Sequence, residues 1–247
     1  MKTVLITGCS SGYGLETARH FHAQGWHVVA TMRTPRTDLL PRSERLRVLP
    51  LDVTQPESIA AALEAAGPID VLVNNAGLGL FGAFEATPMA TVREIFETNT
   101  FGTMAMTQAV LPQFRLRKSG LVINVTSTVT LAPMPLVAAY TASKTAIEGF
   151  TESLAFELEP FGVRVKLVEP GYGPGTRFTE NGAERMQGLI TEAYAPLAQS
   201  IFATLGSPAA VTTASDVAEA VWRAANDSAS TLRYPAGADA LALARGR

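Results

Sequence analysis

Thr7-Gly8-Cys9-Ser10-Ser11-Gly12-Tyr13-Gly14 follows a short β-branched run, Thr3 to Thr7, and opens a helical pattern that runs from Leu15 to Gln24. Glycines where a strand turns into a helix permit a tight reversal and a close approach of the backbone to a ligand. The exposed amides at the start of a helix favour an anion such as a pyrophosphate. The spacing is Gly-x-x-x-Gly-x-Gly rather than the commoner Gly-x-Gly-x-x-Gly, and on its own the cluster also suits an ordinary turn. Its position between strand and helix makes Gly8, Ser10, Ser11, Gly12, Tyr13 and Gly14 candidates for cradling a dinucleotide.

Working outward, similar apolar runs recur at His27 to Thr31, Arg47 to Leu51, Asp70 to Asn74, Leu121 to Thr126 and Val163 to Glu169. Each is apolar nearly throughout, as strands covered on both faces must be. The stretches between them read as helices. Leu15 to Gln24 stops at Gly25, and Pro56 to Ala66 stops at Gly67, where glycine suits a helix end. Alternating strands and helices with right-handed crossovers predict an α/β fold, a doubly wound parallel sheet with helices on both faces. The count of strands alone also fits a barrel; the glycine turn after the first strand decides for the Rossmann type. No repeat or linker divides the chain, so residues 1–247 read as one domain. Two stretches depart from the alternation. Pro88 to Arg117 carries a long helical pattern broken by Gly102 and Pro112, and residues 176–206 form a helical insertion. That insertion holds Phe178, Met186, Leu189, Ile190, Tyr194 and Phe202. It suits a lid closing over a substrate, and equally a helix pair packed on the sheet.

Composition narrows the partners. Apolar residues make up 47% of the 247, charged residues 17%, and the net charge is −2 without a basic block, which argues against disorder and against a nucleic-acid or anionic-membrane surface. A single cysteine, Cys9, excludes an intramolecular disulfide and a multi-cysteine zinc site; it reads as a small turn residue. His20 and His22 point to different faces of a helix, and no carboxylate cluster accompanies them or His27, so no metal is expected. Met1 to Gly8 enters a strand directly, without a signal-peptide pattern, and no run reaches the length of a membrane span. A cytoplasmic protein with a small-molecule partner is the expectation.

Tyr140 and Lys144 lie four positions apart on a helix expected from Tyr140 to Glu159, hence on one face. A nearby ammonium favours the phenolate and is expected to lower the tyrosine's pKa from near 10, fitting Tyr140 to donate or accept a proton. Ser127 follows a strand at the carboxyl edge where parallel sheets place ligands, and its hydroxyl can hold a carbonyl oxygen.

Together these residues resemble the short-chain dehydrogenase/reductase family. The glycine turn, Leu51-Asp52-Val53, Asn74-Asn75-Ala76-Gly77, Asn99, Ser127, Tyr140-Thr141-Ala142-Ser143-Lys144 and Pro170-Gly171 appear in the family's order and at its usual separations, over nearly the whole chain. The resemblance implies a seven-stranded sheet, hydride transfer with a nicotinamide dinucleotide, and a homodimer or homotetramer. It implies that Asn99 completes the catalytic set of Ser127, Tyr140 and Lys144 by holding a water in a relay through the lysine, which also holds the ribose. It implies adenine contacts at Asp52 and Val53, a cofactor edge at Asn75, Ala76 and Gly77, and a nicotinamide loop at Pro170, Gly171, Gly173 and Thr176. Two departures stand out. Relatives carry a small aliphatic residue where Tyr13 stands, and an aliphatic and a hydroxyl residue where Gly173 and Gly175 stand; three glycines in seven residues suggest a loosely defined loop.

At the end of the second strand, where NAD-specific proteins place an acid, the chain reads Met32-Arg33-Thr34. Arg33 suits a 2′-phosphate, so NADP(H) is favoured over NAD(H), although a solvated loop arginine fits the same stretch. The reaction expected is reversible reduction of a ketone or aldehyde. An NAD-dependent alcohol or hydroxysteroid dehydrogenase and a catalytically lapsed dinucleotide sensor are the alternatives. Leu78, Val129, Met134, Leu136, Tyr172, Met186, Leu189 and Tyr194 suggest an apolar substrate pocket, and also fit ordinary core. The start of the chain and Met32-Arg33-Thr34 lean towards the hydroxysteroid and retinol-type branch.

Overall fold

Six strands form where the apolar runs place them: β1 Thr3–Ile6, β2 His27–Met32, β3 Leu46–Pro50, β4 Val71–Asn74, β5 Gly120–Val125 and β6 Val163–Pro170. A seventh, β7 Arg233–Ala236, completes one sheet in the order β3-β2-β1-β4-β5-β6-β7, parallel throughout. The computed structural model describes residues 1–175, 178–205 and 210–246, with the side chains of Phe178, Thr179 and Asn181 left out. Thr176 and Gly206 lie outside the described residues.

The chain leaves β1 in one direction to β2 and β3, then returns to place β4 on its other side. Loops at the carboxyl ends of β1 and β4 therefore diverge, and the crevice between them is where such sheets bind ligands. Alternation along β1 shows why both faces are covered. Val4 and Ile6 join a core with Phe21, Trp26 and Val221, beneath α1 Gly12–Ala23 and α8 Ala214–Asn226. Leu5 joins Leu72, Met106 and Phe114 on the opposite face, under α2 Pro56–Ala66, α4 Gly102–Arg117 and α5 Ala138–Leu158. Each such side chain contributes about 1.5–3 kcal/mol on burial. Phe21 meets Trp26 and Trp222 edge-on at centroid distances of 5.1 and 5.0 Å, which fixes α1, and so the glycine turn, against α8.

The expected break in Pro88 to Arg117 is elsewhere. Neither Gly102 nor Pro112 ends the helix; α3 Met89–Phe96 passes through a single wide turn, Glu97–Phe101, into α4. Such turns insert an extra residue and concentrate at functional sites. Here Asn99 sits on it, its side chain bonded to the backbone of Leu78. Gly102 serves close packing instead: a Cβ there would lie 2.7 Å from Val53 Cγ2. The insertion after β6 contains α6 Phe178–Met186 and α7 Ala195–Leu205, and α9 Ala238–Arg245 follows β7. Among the described residues no helix is long and apolar enough to cross a membrane.

Candidate active site

The glycine turn is tied to the loop after β4. Thr7 Oγ1 accepts from the amides of Asn75 and Ala76 at 3.0 and 2.9 Å, and Asn75 Nδ2 donates to Thr7 O at 2.9 Å. A Cβ on Gly8 (φ +75°) would lie 2.8 Å from Ala76 Cα, and one on Gly14 2.4 Å from Asn75 Nδ2, so these glycines let the two loops close together. Ser11 caps α1 without a side-chain hydrogen bond, and no acid occupies the first turn. The positive end of α1 is left to the groove beside it. Cys9 is buried, with its thiol pushed up to about 12 by desolvation, consistent with a turn residue rather than a nucleophile.

That groove, about 490 Å³, is lined by Gly8, Ser10, Ser11, Gly12 and Tyr13 at one wall and by Arg33, Asp52, Val53, Asn75, Ala76, Gly77 and Leu78 along its length; Tyr140 and Lys144 line it as well. Asp52 Oδ1 also accepts from Thr54 N and Thr54 Oγ1 at 3.0 and 2.8 Å, shaping the turn before α2. Sequence reasoning passed over Glu94 and Arg185, which also line it.

Tyr140 is 8% exposed and Lys144 7%, on the inner face of α5. Burial changes the electrostatics expected of the pair. Desolvation pushes Tyr140 up to about 12, against a smaller opposing effect of its hydrogen bond with Ser127. It pulls Lys144 down to about 8. The net shift of the Tyr140 pKa is therefore upward, not the downward one that the Tyr140–Lys144 spacing suggested. The lysine Nζ donates to Val125 O at 2.9 Å, and a low-dielectric site penalises both charged forms. Tyr140 is a proton-holding phenol, the state needed to protonate an alkoxide.

Asn99 is 1% exposed. Its Oδ1 accepts from Leu78 N at 2.7 Å, while Nδ2 donates to Leu78 O at 3.0 Å and Ser143 Oγ at 3.1 Å. A Cβ on Gly77 would meet Asn99 Oδ1 at 3.3 Å and Lys144 Nζ at 3.4 Å, so these three positions converge. Ser127 starts the turn after β5 and its Oγ accepts from Val129 N at 3.4 Å. Its flanks are held by a residue that sequence reasoning missed. Glu148 Oε1 accepts from Thr126 Oγ1 at 3.2 Å and from Thr130 Oγ1 at 2.5 Å. The available signal was the spacing of 140, 144 and 148 on one face of α5.

The apolar candidates divide. Val129, Leu189 and Tyr140 belong to one cluster with Leu80, against which Leu78, Met134 and Met186 pack. Leu136 belongs to a neighbouring cluster with Ala83 and Ala198, where Tyr194 packs. Tyr172 is 38% exposed.

The loop after β6 is anchored at its start, at Gly171 and Tyr172. Tyr172 N donates to Asp239 Oδ2 at 2.6 Å, Gly171 N to Thr212 Oγ1 at 3.0 Å, and Thr212 N to Tyr172 O at 2.7 Å. A Cβ on Gly171 would lie 2.1 Å from Asp239 Oδ2, so that glycine permits the anchor. Pro170 ends β6, paired with Ala236 of β7. Neither Thr212 nor Asp239 is close in sequence, and nothing local announces them.

Residues 2–187 match the short chain dehydrogenase family. Over 184 residues the chain is 43% identical to retinol dehydrogenase 8 of Bos taurus, a match covering 69% of this chain and 58% of that one, so the chain spans little over half of that relative's length. The fold superposes on a short-chain dehydrogenase from Streptomyces avermitilis with a TM-score of 0.83 at 35% identity, covering 99% of this chain and 91% of the other. It also superposes on the closed form of a serine dehydrogenase complexed with NADP+, with a TM-score of 0.78 at 31% identity, covering 94% and 93%. With its glycine turn, buried Tyr140 and Lys144, and a family match over most of its length, the chain belongs to the short-chain dehydrogenase family.

Proposed function

We propose that this chain is an NADP(H)-dependent carbonyl reductase working on apolar ketones or aldehydes, reversibly, with Tyr140 as proton donor. The observation that carries this reading is the placement of Tyr140, hydrogen-bonded to Ser127, between a groove with an uncapped helix start and an apolar cluster of Leu80, Val129 and Leu189. The residues fit a nicotinamide dinucleotide: bare amides of α1 for the pyrophosphate, Lys144 for a ribose, and a groove passing both. When bound, the nicotinamide supplies the hydride. Ser127 and Tyr140 hold the carbonyl oxygen, and the phenol proton goes to the oxygen as it gains charge.

Arg33 is exposed at the groove's edge, and Glu94, an acid of the same groove, is held chiefly by Arg185. Arg33 is therefore available for a 2′-phosphate. The test is a panel of aryl, alkyl and polycyclic carbonyls with nicotinamide consumption followed optically. Turnover is expected with NADPH in preference to NADH, and Arg33→Asp is expected to shift that preference by roughly 10–100-fold towards NADH, the worth of one charge-assisted contact. A variant that keeps its preference for NADPH removes Arg33 as the determinant, a parent chain that prefers NADH points to the NAD-dependent alternative, and binding without turnover on every carbonyl class points to a sensor.

The insertion after β6 serves as the lid in this reading. Arg185 of α6 grips Glu94 of α3 with two hydrogen bonds, 3.1 and 2.6 Å, while Met186 and Leu189 reach the cluster that contains Tyr140. Arg185→Ala is expected to raise KM for the carbonyl by roughly 2–5-fold through loss of this bidentate pair, with a smaller change in kcat; an unchanged KM would leave α6 as a helix packed on the sheet.

A further inference from the structure

The two departures from the family pattern meet in space. Tyr13, in the first turn of α1, lines the groove and packs its ring against the core beneath. Its hydroxyl reaches the position from which residue 173 would project a side chain: a Cβ on Gly173 would lie 2.0 Å from Tyr13 Oη and 3.1 Å from Cζ. At these distances something must shift, so a side chain at 173 and the Tyr13 hydroxyl cannot both keep these positions. Gly173 does not have a positive φ, which means that glycine is required there by space and not by backbone conformation. Gly175, by contrast, has nothing within 4 Å of its Cβ position. The loop is held immediately before Gly173, where Thr212 N donates to Tyr172 O and Tyr172 N donates to Asp239 Oδ2. Burial, then the neighbouring Tyr140, Asp239 and Asp216, raise the Tyr13 pKa, so its hydroxyl keeps its proton and is a donor.

The geometry points to Tyr13 as the residue that replaces the missing loop side chain: its ring walls the inner end of the groove, and its hydroxyl is the hydrogen-bonding contact for a nicotinamide carboxamide, with Gly173 as the space that admits it. This rests on the reading of the groove as a nicotinamide dinucleotide site. It makes Tyr13 and Gly173 one unit that must change together.

The experiment measures two things on Tyr13→Phe, Tyr13→Ile, Gly173→Val and the double variant Tyr13→Ile/Gly173→Val. One is the dissociation constant, by calorimetry, for whichever of NADP+ and NAD+ binds more tightly and for its nicotinamide-free half, 2′,5′-ADP or AMP. The other is the melting temperature of the ligand-free chain. Tyr13→Phe is expected to weaken the full dinucleotide by roughly 3–10-fold, the worth of one hydrogen bond, and to leave the half-molecule unchanged. Gly173→Val alone is expected to lower the melting temperature and weaken the dinucleotide, and adding Tyr13→Ile to restore most of both. Tyr13→Phe binding the dinucleotide as well as the parent removes the hydroxyl contact, and additive losses in the double variant remove the pairing. A parent chain that binds neither full dinucleotide overturns the groove reading and the carboxamide contact with it, while the ligand-free melting temperatures judge the pairing separately.

Discussion

Tyr140→Phe is expected to lower kcat for carbonyl reduction by about 10²–10⁴-fold, the usual worth of a positioned general acid, while dinucleotide binding changes little. The variant removes one oxygen from a side chain whose ring is packed among Leu80, Val129 and Leu189, so the fold is retained and the loss falls on proton transfer. The accompanying pH profile separates the roles of the two buried groups. Tyr140, raised by burial to about 12, keeps its proton throughout the working range, and its own titration removes no activity before that pH. Lys144, lowered by burial to about 8, is charged below that value and neutral above it. Its charge stabilises the phenolate left when Tyr140 gives up its proton. Reduction is therefore expected to be steady on the acid side and to decline as pH rises through about 8. The ligand-free fold responds with the opposite sign. A lysine with a depressed pKa burdens the folded state below its unfolded value, so stability is lost as pH falls from the free-lysine range through about 8. A Tyr140→Phe protein that reduces the same ketone at an undiminished rate sinks the assignment of the donor.

What could be read from the sequence is what depends on neighbours along the chain. The strand, turn and helix around Gly8 are contiguous, and so are the runs that became β1 to β6; their ends moved by one residue at most positions because strand ends are set by pairing. Tyr140 and Lys144 are joined by helix geometry alone. The direction of their pKa shifts was not legible, since it depends on burial by segments far along the chain and on Lys144 finding Val125 O. Nor was the wide turn at Asn99, whose side chain is claimed by Leu78, nor the anchoring of Tyr172 by Asp239. Tyr13 and Gly173 were each visible as departures, and only the fold shows that they meet.

The largest effect on stability is expected from a residue outside the groove. Arg233, the first residue of β7, faces three carboxylates: Nη1 meets Glu148 Oε2 at 2.8 Å and also bonds Glu169, and Nη2 meets Glu152 Oε1 at 2.6 Å. Glu148 and Glu169 are 6% and 1% exposed. Burial opposes the arginine's charge, yet its hydrogen bonds to Glu148 and Glu152, the charge of Glu148 and the bond to Glu169 together raise its pKa. Arg233→Leu removes the cation beside the two buried carboxylates. Breaking a buried pair from one side costs about 3–5 kcal/mol, and partial exposure of the arginine reduces this to about 2–4 kcal/mol, or roughly 10 °C in melting temperature for a chain of this size. Glu152→Gln is the contrast, because Glu152 is half-exposed and its removal costs about 0–1 kcal/mol. Catalysis is expected to suffer with Arg233→Leu beyond the loss of folded protein. Glu148 is the shared acceptor of Thr126 and Thr130, and those threonines flank Ser127, so releasing Glu148 loosens the hydroxyl that faces Tyr140. Urea unfolding and kcat measured together at neutral pH decide it. If Arg233→Leu is no less stable than Glu152→Gln, the carboxylate cluster does not depend on its arginine. If stability falls and kcat per folded molecule does not, Glu148 holds the fold without positioning Ser127.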